Sequence, residues 1–144
     1  GILGKGPLQG ELQNLIDELG VSERVKLLGT DKNPFKFIKN AQCFLCASRF
    51  EGFSNVLLEA LACERFIIST DHKSGARELL GDDEYGILVP VDDEKAMETA
   101  MRRALEDENL RQDYEKRAYG RVVKFDKNAV AAQLIGYLEG ENGE

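Results

Sequence analysis

Apolar residues follow two alternating rhythms along this chain. Short apolar runs at Ile2-Leu3, Val25 to Leu28, 43–47 (CFLCA), 66–69 (FIIS) and 87–89 (ILV) predict strands. Between them, apolar positions three and four apart predict helices. Leu8, Leu12, Leu15, Ile16 and Leu19 share one face of a helix closed by Gly20, and Pro34 begins a short helix carrying Phe35, Phe37 and Ile38. A helix over about 55–63 and a helical turn near 76–80 follow, and the pattern is then helical over about 93–107, 109–118 and 127–139.

Strands written as near-continuous apolar runs are buried on both faces, and strands alternating with helices pair in parallel. The predicted fold is therefore α/β, a Rossmann-like doubly wound parallel sheet with a helical C-terminal tail. Ligands of such sheets sit at the carboxyl ends of the strands. Ile2-Leu3 reads as the end of a strand with no βα unit before it. The sheet is thus expected to begin partway through, its first βα unit missing, with residues 1–144 forming one domain of a larger protein.

Composition narrows the function classes. The chain has 144 residues, 42% hydrophobic and 31% charged, as in a folded soluble domain. Its net charge of −7, from 26 acidic and 19 basic side chains, argues against a nucleic-acid partner, which needs a dense basic face. No apolar run approaches a membrane span and no signal peptide is visible, and three cysteines without one suggest reduced thiols in the cytoplasm. Cys43 and Cys46 form a C-x-x-C, but residues three apart on a strand face opposite ways and no second Cys/His pair completes a zinc site. They are expected to be core residues, and no metal site is expected.

The segment with the most chemistry is SRFEGFSNVLLEALA, residues 48–62. It follows a strand, so it lies at the ligand edge. Gly52 permits a sharp turn, and Ser54 is a suitable N-cap for the next helix. The N–H groups of Ser54, Asn55, Val56 and Leu57 are then expected to point out of the helix start, a site for a diphosphate. Glu59, a turn into the helix, could accept hydrogen bonds from a ribose diol, and Glu51 could meet another part of the same ligand. Periodicity equally allows Glu59 on a solvent face and Glu51 as an ordinary loop charge. His72, in the loop after strand 66–69, is conceivable as a general base but has no visible partner, and Arg77 and Glu78 either face the pocket or pair locally.

This segment closely resembles the signature of retaining glycosyltransferases of the GT-B fold, the group often called family four. Gly4-Lys5-Gly6-Pro7 is similar to that family's G-x-G-P turn, RVKLLG (24–29) to its following strand, and residues 66–93 to the segment closing its nucleotide-binding core. The resemblance implies the C-terminal, donor-binding half of such an enzyme. In it Glu51 contacts the donor sugar as the catalytic, orienting carboxylate. Gly52 and the backbone amides of Phe53, Ser54, Asn55 and Val56 hold sugar and diphosphate, and Glu59 binds the ribose. Gly29, Thr30 and Ser48 line the base pocket, and Gly4 and Gly6 admit the donor. It implies no cofactor and no metal.

The implied reaction moves a hexose from a nucleotide-diphosphate sugar to a saccharide or lipid-linked acceptor, the acceptor being held by an absent N-terminal domain. DHKSGARELL looks most like surface-polysaccharide enzymes, which favours a UDP-sugar. The parent is expected in the cytoplasm, peripherally at the cytoplasmic face of a membrane, with helix 127–139 against the absent domain. The family's basic residues for the leaving diphosphate belong upstream of GILGKGP, so the fragment is expected to be inactive alone. A non-catalytic binding module or subunit, and a GT-B-fold UDP-sugar epimerase, are the competing readings. The chain departs from the pattern at Glu64-Arg65-Phe66, where relatives have Gly-x-Pro, and at Ala76, where they have proline.

Overall fold

The computed structural model describes residues 1–72 and 75–131. The chain forms two compact units, Gly1–Lys36 and a second from Phe37 onward. The elements run β1 (Ile2–Leu3), α1 (Gln9–Glu18), β2 (Leu27–Gly29), α2 (Phe35–Asn40), β3 (Phe44–Cys46), α3 (Asn55–Ala62), β4 (Ile67–Thr70), α4 (Ala76–Leu80), β5 (Ile87–Val89), α5 (Glu94–Glu106) and α6 (Glu108–Val122), then a 3-10 turn at Val123–Phe125. Residues 127–131 are helical, and the rest of the helix expected over 127–139 lies outside the described residues.

In the first unit β1 and β2 pair in parallel, Ile2 with Leu27 and Leu3 with Gly29. The strand expected at Val25 starts two residues later, because Arg24 and Val25 donate back to the Val21 carbonyl and spend that stretch on a turn. Helix α1 stops where the sequence expects it to. Gly20, at φ 64, lets its own N–H reach the Asp17 carbonyl and that of Val21 reach Ile16, the 5→2 and 6→1 bonds of a Schellman motif. Of the predicted apolar face only Ile16 is buried, while Leu12 and Leu15 remain 39% and 49% exposed.

In the second unit β3, β4 and β5 form a parallel sheet in that order. Every residue of the central strand β4 is buried, and its side chains alternate between two cores. Ile67 packs with Leu57, Leu61, Leu79 and Leu80 from α3 and α4; Phe66 and Ile68 pack on the other face with Ala100 and Ala104 of α5 and Tyr114 of α6. This is the two-sided burial that the apolar runs predicted. The C-x-x-C divides as expected: Cys46 joins the first core, and the partly buried Cys43 borders the second.

The apolar stripe of α5 is only partly covered. Ala100 and Ala104 are buried, but Met101 and Leu105 of the same stripe are 37% and 60% exposed. They line an open groove of about 520 Å³ with Met97, Ala47, Thr70 and Pro90. The small alanines let α5 approach the sheet, and the longer side chains flanking them are carried to the rim.

The Glu64-Arg65-Phe66 departure has a structural answer. Helix α3 also ends in a Schellman motif, with Glu64 N–H on the Leu61 carbonyl and Arg65 N–H on Ala60. Glu64 therefore sits at φ 54, a left-handed conformation that suits glycine. Glu64→Gly is expected to stabilise the chain by about 1 kcal/mol, read as a higher midpoint in urea. An unchanged or lower midpoint would contradict a strained cap. Phe66, where the resembled family's pattern has proline, is fully buried with its ring 5.0 Å from that of Tyr114, so the position serves as a core anchor.

Candidate functional site

The site grows from the register of β3 on β4, which sets Cys46 opposite Ser69 and brings the loops after both strands to one edge. Thr70, the last residue of β4, donates its hydroxyl to the Ser48 carbonyl and ties the two loops together. Ser48 in turn donates its hydroxyl to Glu51 Oε1 at 2.6 Å, and Cys46 Sγ reaches Ser48 Oγ at 3.5 Å. The Glu51 carboxylate is thus held by its own turn rather than left as a loose loop charge.

Partial burial pushes the Glu51 carboxyl up, but the hydroxyls of Ser48 and Ser54 and the imidazole of His72 more than offset it. The group ends below the ordinary glutamate value and is ionised at neutral pH. Because its folded value is depressed, the stability it adds is present above the ordinary glutamate value and is lost as pH falls through the lowered one.

Ser54 departs from its expected role. It precedes α3, yet its hydroxyl makes no capping bond. The side chain is 1% exposed and among the described residues its Oγ completes no hydrogen bond, so it acts on Glu51 as a nearby dipole short of bonding geometry. The helix start is also less open than expected. Asn55 N–H donates to Phe53 and Leu57 N–H to Ser54, leaving the N–H groups of Ser54 and Val56 without a backbone acceptor among the described residues. Two donors, not four, face an incoming anion there.

Gly75 shapes the turn from the opposite loop. At φ 95 it lies against the 52–54 backbone so closely that a Cβ would stand 2.8 Å from the Gly52 carbonyl oxygen and 3.2 Å from Ser54 N. Phe53, 47% exposed, tilts onto Phe125 at 5.9 Å, which braces the turn from the 3-10 segment. Glu59 lies one turn into α3, on the side shared with Asn55 and Val56 and away from the buried Leu57, Ala60 and Leu61. It is half-buried, and among the described residues its carboxylate has no ion pair or hydrogen bond.

The remaining residues singled out from the sequence fall as follows. Gly4, Gly6, Gly29 and Thr30 belong to the first unit, where Gly4 N–H donates to the Gly29 carbonyl at 2.7 Å beyond the paired ends of β1 and β2. Gly4 and Gly29 both have positive φ, 139° and 66°. Arg77 pairs locally with Asp71 and Asp82, and Glu78 is exposed. His72 lies at the ligand edge, in the loop after β4 where the sequence reading put it: it is 2% exposed, neighbours Glu51, and among the described residues neither ring nitrogen has a hydrogen-bond partner. Sequence reasoning missed Thr70 and Gly75. The positive φ of Gly75 was signalled only by its glycine, and Thr70 by nothing beyond its place at a strand end.

Comparison with known proteins bears on this geometry. A family model described as glycosyl transferases group 1 matches residues 1–121. A Campylobacter jejuni protein is 51% identical over 139 residues, covering 96% of this chain and 38% of the relative; it is named N-acetylgalactosamine-N,N'-diacetylbacillosaminyl-diphospho-undecaprenol 4-alpha-N-acetylgalactosaminyltransferase. A Methanocaldococcus jannaschii protein named an uncharacterized glycosyltransferase is 34% identical over 96% of this chain and 41% of its own length. The chain therefore spans about two fifths of the curated relatives it matches. Among solved structures, Anabaena HepE in complex with UDP superposes with a TM-score of 0.85 over 96% of this chain and 40% of that one, at 22% identity. The lipopolysaccharide outer core galactosyltransferase WaaB gives 0.84 over 97% and 40%, also at 22% identity. At that identity these likenesses show the fold, the Rossmann-like α/β domain of GT-B glycosyltransferases.

Proposed function

The chain belongs to the glycosyl transferases group 1 family, and from that premise we propose that it is the donor-binding part of a retaining enzyme that transfers a hexose from a UDP-sugar to a lipid-linked glycan. The observation that carries the reading is the 48–59 segment. A carboxylate fixed by Ser48, a turn ending in two N–H groups without a backbone acceptor, and a half-buried Glu59 without an ion pair, both among the described residues, follow one another along a single strand-to-helix connection. In the proposed complex the diphosphate meets the N–H groups of Ser54 and Val56, the ribose hydroxyls meet Glu59, and Glu51 orients the sugar.

The transferred group is an N-acetylhexosamine or a related hexose, and the acceptor a saccharide on a polyprenyl diphosphate. This is supported by the activity for which the Campylobacter jejuni relative at 51% identity is named. The base is uracil, supported by the UDP complexes among the structural neighbours. Transfer proceeds on one face of the sugar with the leaving diphosphate accepting the acceptor's proton, and Glu51 needs no metal to hold the sugar. The enzyme works in the cytoplasm, at the membrane surface where its acceptor lies; among the described residues no helix is long and apolar enough to cross a membrane.

Calorimetric titration of the chain with UDP, GDP and ADP tests the donor assignment. UDP is expected to bind selectively, and Glu59→Ala to weaken it about 10- to 100-fold, the worth of a hydrogen bond to a charged group. Equal indifference of wild type and variant to all three nucleotides would overturn the ribose role.

A further inference from the structure

Three side chains with metal-binding atoms converge at the carboxyl edge of β3 and β4. Cys46 ends β3, Glu51 lies in the turn that follows, and His72 stands two residues beyond β4. One ligand atom from each, a sulfur, a carboxylate oxygen and an imidazole nitrogen, lies within 4.8 Å of the other two. Among the described residues this is the one such grouping of His, Cys, Asp and Glu.

The surroundings restrict what can occupy it. His72 is 2% exposed and Cys46 6%, and among the described residues both ring nitrogens of His72 lack a partner. A buried polar group left in that state costs about 1–3 kcal/mol, which a bound group would recover. A phosphate is disfavoured beside the Glu51 carboxylate. Mg²⁺ and Ca²⁺ prefer shells of oxygen and have little use for sulfur or nitrogen. A borderline-soft divalent cation accepts all three donor types, and three protein ligands with an open fourth position is a familiar zinc arrangement.

We propose that Cys46, Glu51 and His72 form a binding site for a zinc-class divalent cation. Three atoms no more than 4.8 Å apart leave a central point at most about 2.8 Å from each, so contraction of at most about 0.5 Å for the sulfur and about 0.8 Å for the nitrogen and oxygen reaches zinc–ligand distances. Cys46 binds as the thiolate, its proton passing to solvent, and the fourth position is left to water or a small ligand. The site takes Glu51 as a ligand, so cation and donor sugar exclude one another. That last consequence alone rests on the function proposed above.

Cobalt(II) titration of the 144-residue chain reads the site directly. One equivalent is expected to bind, with d–d bands and a thiolate-to-cobalt charge-transfer band, and zinc is expected to displace it. The charge-transfer band should persist in Cys43→Ser and Cys63→Ser and vanish in Cys46→Ser, while His72→Gln should weaken binding at least about 10-fold. A band that survives Cys46→Ser, or the absence of saturable cobalt binding, overturns the proposal. If a variant fails to fold, X-ray absorption of the zinc-loaded wild type decides: one sulfur at about 2.3 Å with nitrogen or oxygen at about 2.0 Å supports the site, and a shell without sulfur overturns it. UDP-sugar titration of zinc-loaded and metal-free chain separates the two readings. A cobalt site without competition keeps the cation site and removes Glu51 from the sugar, whereas a metal-free chain that binds no donor overturns the donor reading alone.

Discussion

On the proposed function, Glu51→Gln in the full-length protein is expected to lower kcat by about 100- to 1,000-fold, the usual effect of removing one preorganised electrostatic group. The donor KM should change little. Glutamine keeps the shape of the turn and still accepts the 2.6 Å hydrogen bond from Ser48, so the variant tests the charge rather than the fold. The ionised carboxylate matters because a glycosyl group in flight carries positive charge at its anomeric centre, as in glycoside hydrolysis. A group that orients the sugar and senses this charge acts mainly in the transition state, so its loss falls on kcat. An unchanged kcat would sink the role. A raised KM at constant kcat would recast Glu51 as a group binding ground and transition states alike.

Gly75→Ala is expected to cost about 2–4 kcal/mol in stability and to lower donor affinity with it. Two independent effects combine. The position holds φ 95, where an L side chain is strained, and the added Cβ would stand 2.8 Å from the Gly52 carbonyl oxygen. The atoms it would strike at Gly52, Phe53 and Ser54 all belong to backbone, so no side chain can swing aside. Relief requires moving either the 52–54 turn or the start of α4, and the turn carries the proposed diphosphate donors. The check is a thermal melt with a UDP titration on the same variant. A fall of roughly 10 °C with weakened UDP binding is expected, and a melt within a degree of wild type would mean that the two loops are not in contact.

Much of the architecture was legible because it depends on local spacing. The apolar runs predicted two-sided burial of β4, and the alternation of Phe66, Ile67 and Ile68 between two cores realises it. Gly20 marked the end of α1 through a conformation that only the neighbouring turn constrains. The opposite faces of Cys43 and Cys46 followed from strand geometry alone. Where the reading slipped, a tertiary contact outweighed a local preference. Ser54 is a good N-cap by type, but its hydroxyl is buried beside Glu51 instead. Met101 and Leu105 belong to the apolar stripe of α5, but the close approach of Ala100 and Ala104 leaves them on the rim of a groove.

By itself the sequence determined the order of strands and helices and the burial of the central strand, and it singled out the segment 48–59 as the candidate place for chemistry. Each rests on residues within a few positions of one another, where period, capping and turn preference act. Only the tertiary structure decided that Cys46, Glu51 and His72 share one small space, that Thr70 joins the two loops and that Gly75 supports the turn. Those relations link residues some 20 positions apart, and they exist because β3 and β4 pair in one register that carries both loops to the same edge. No local rule contains that register. It is set when the two faces of β4 are buried together.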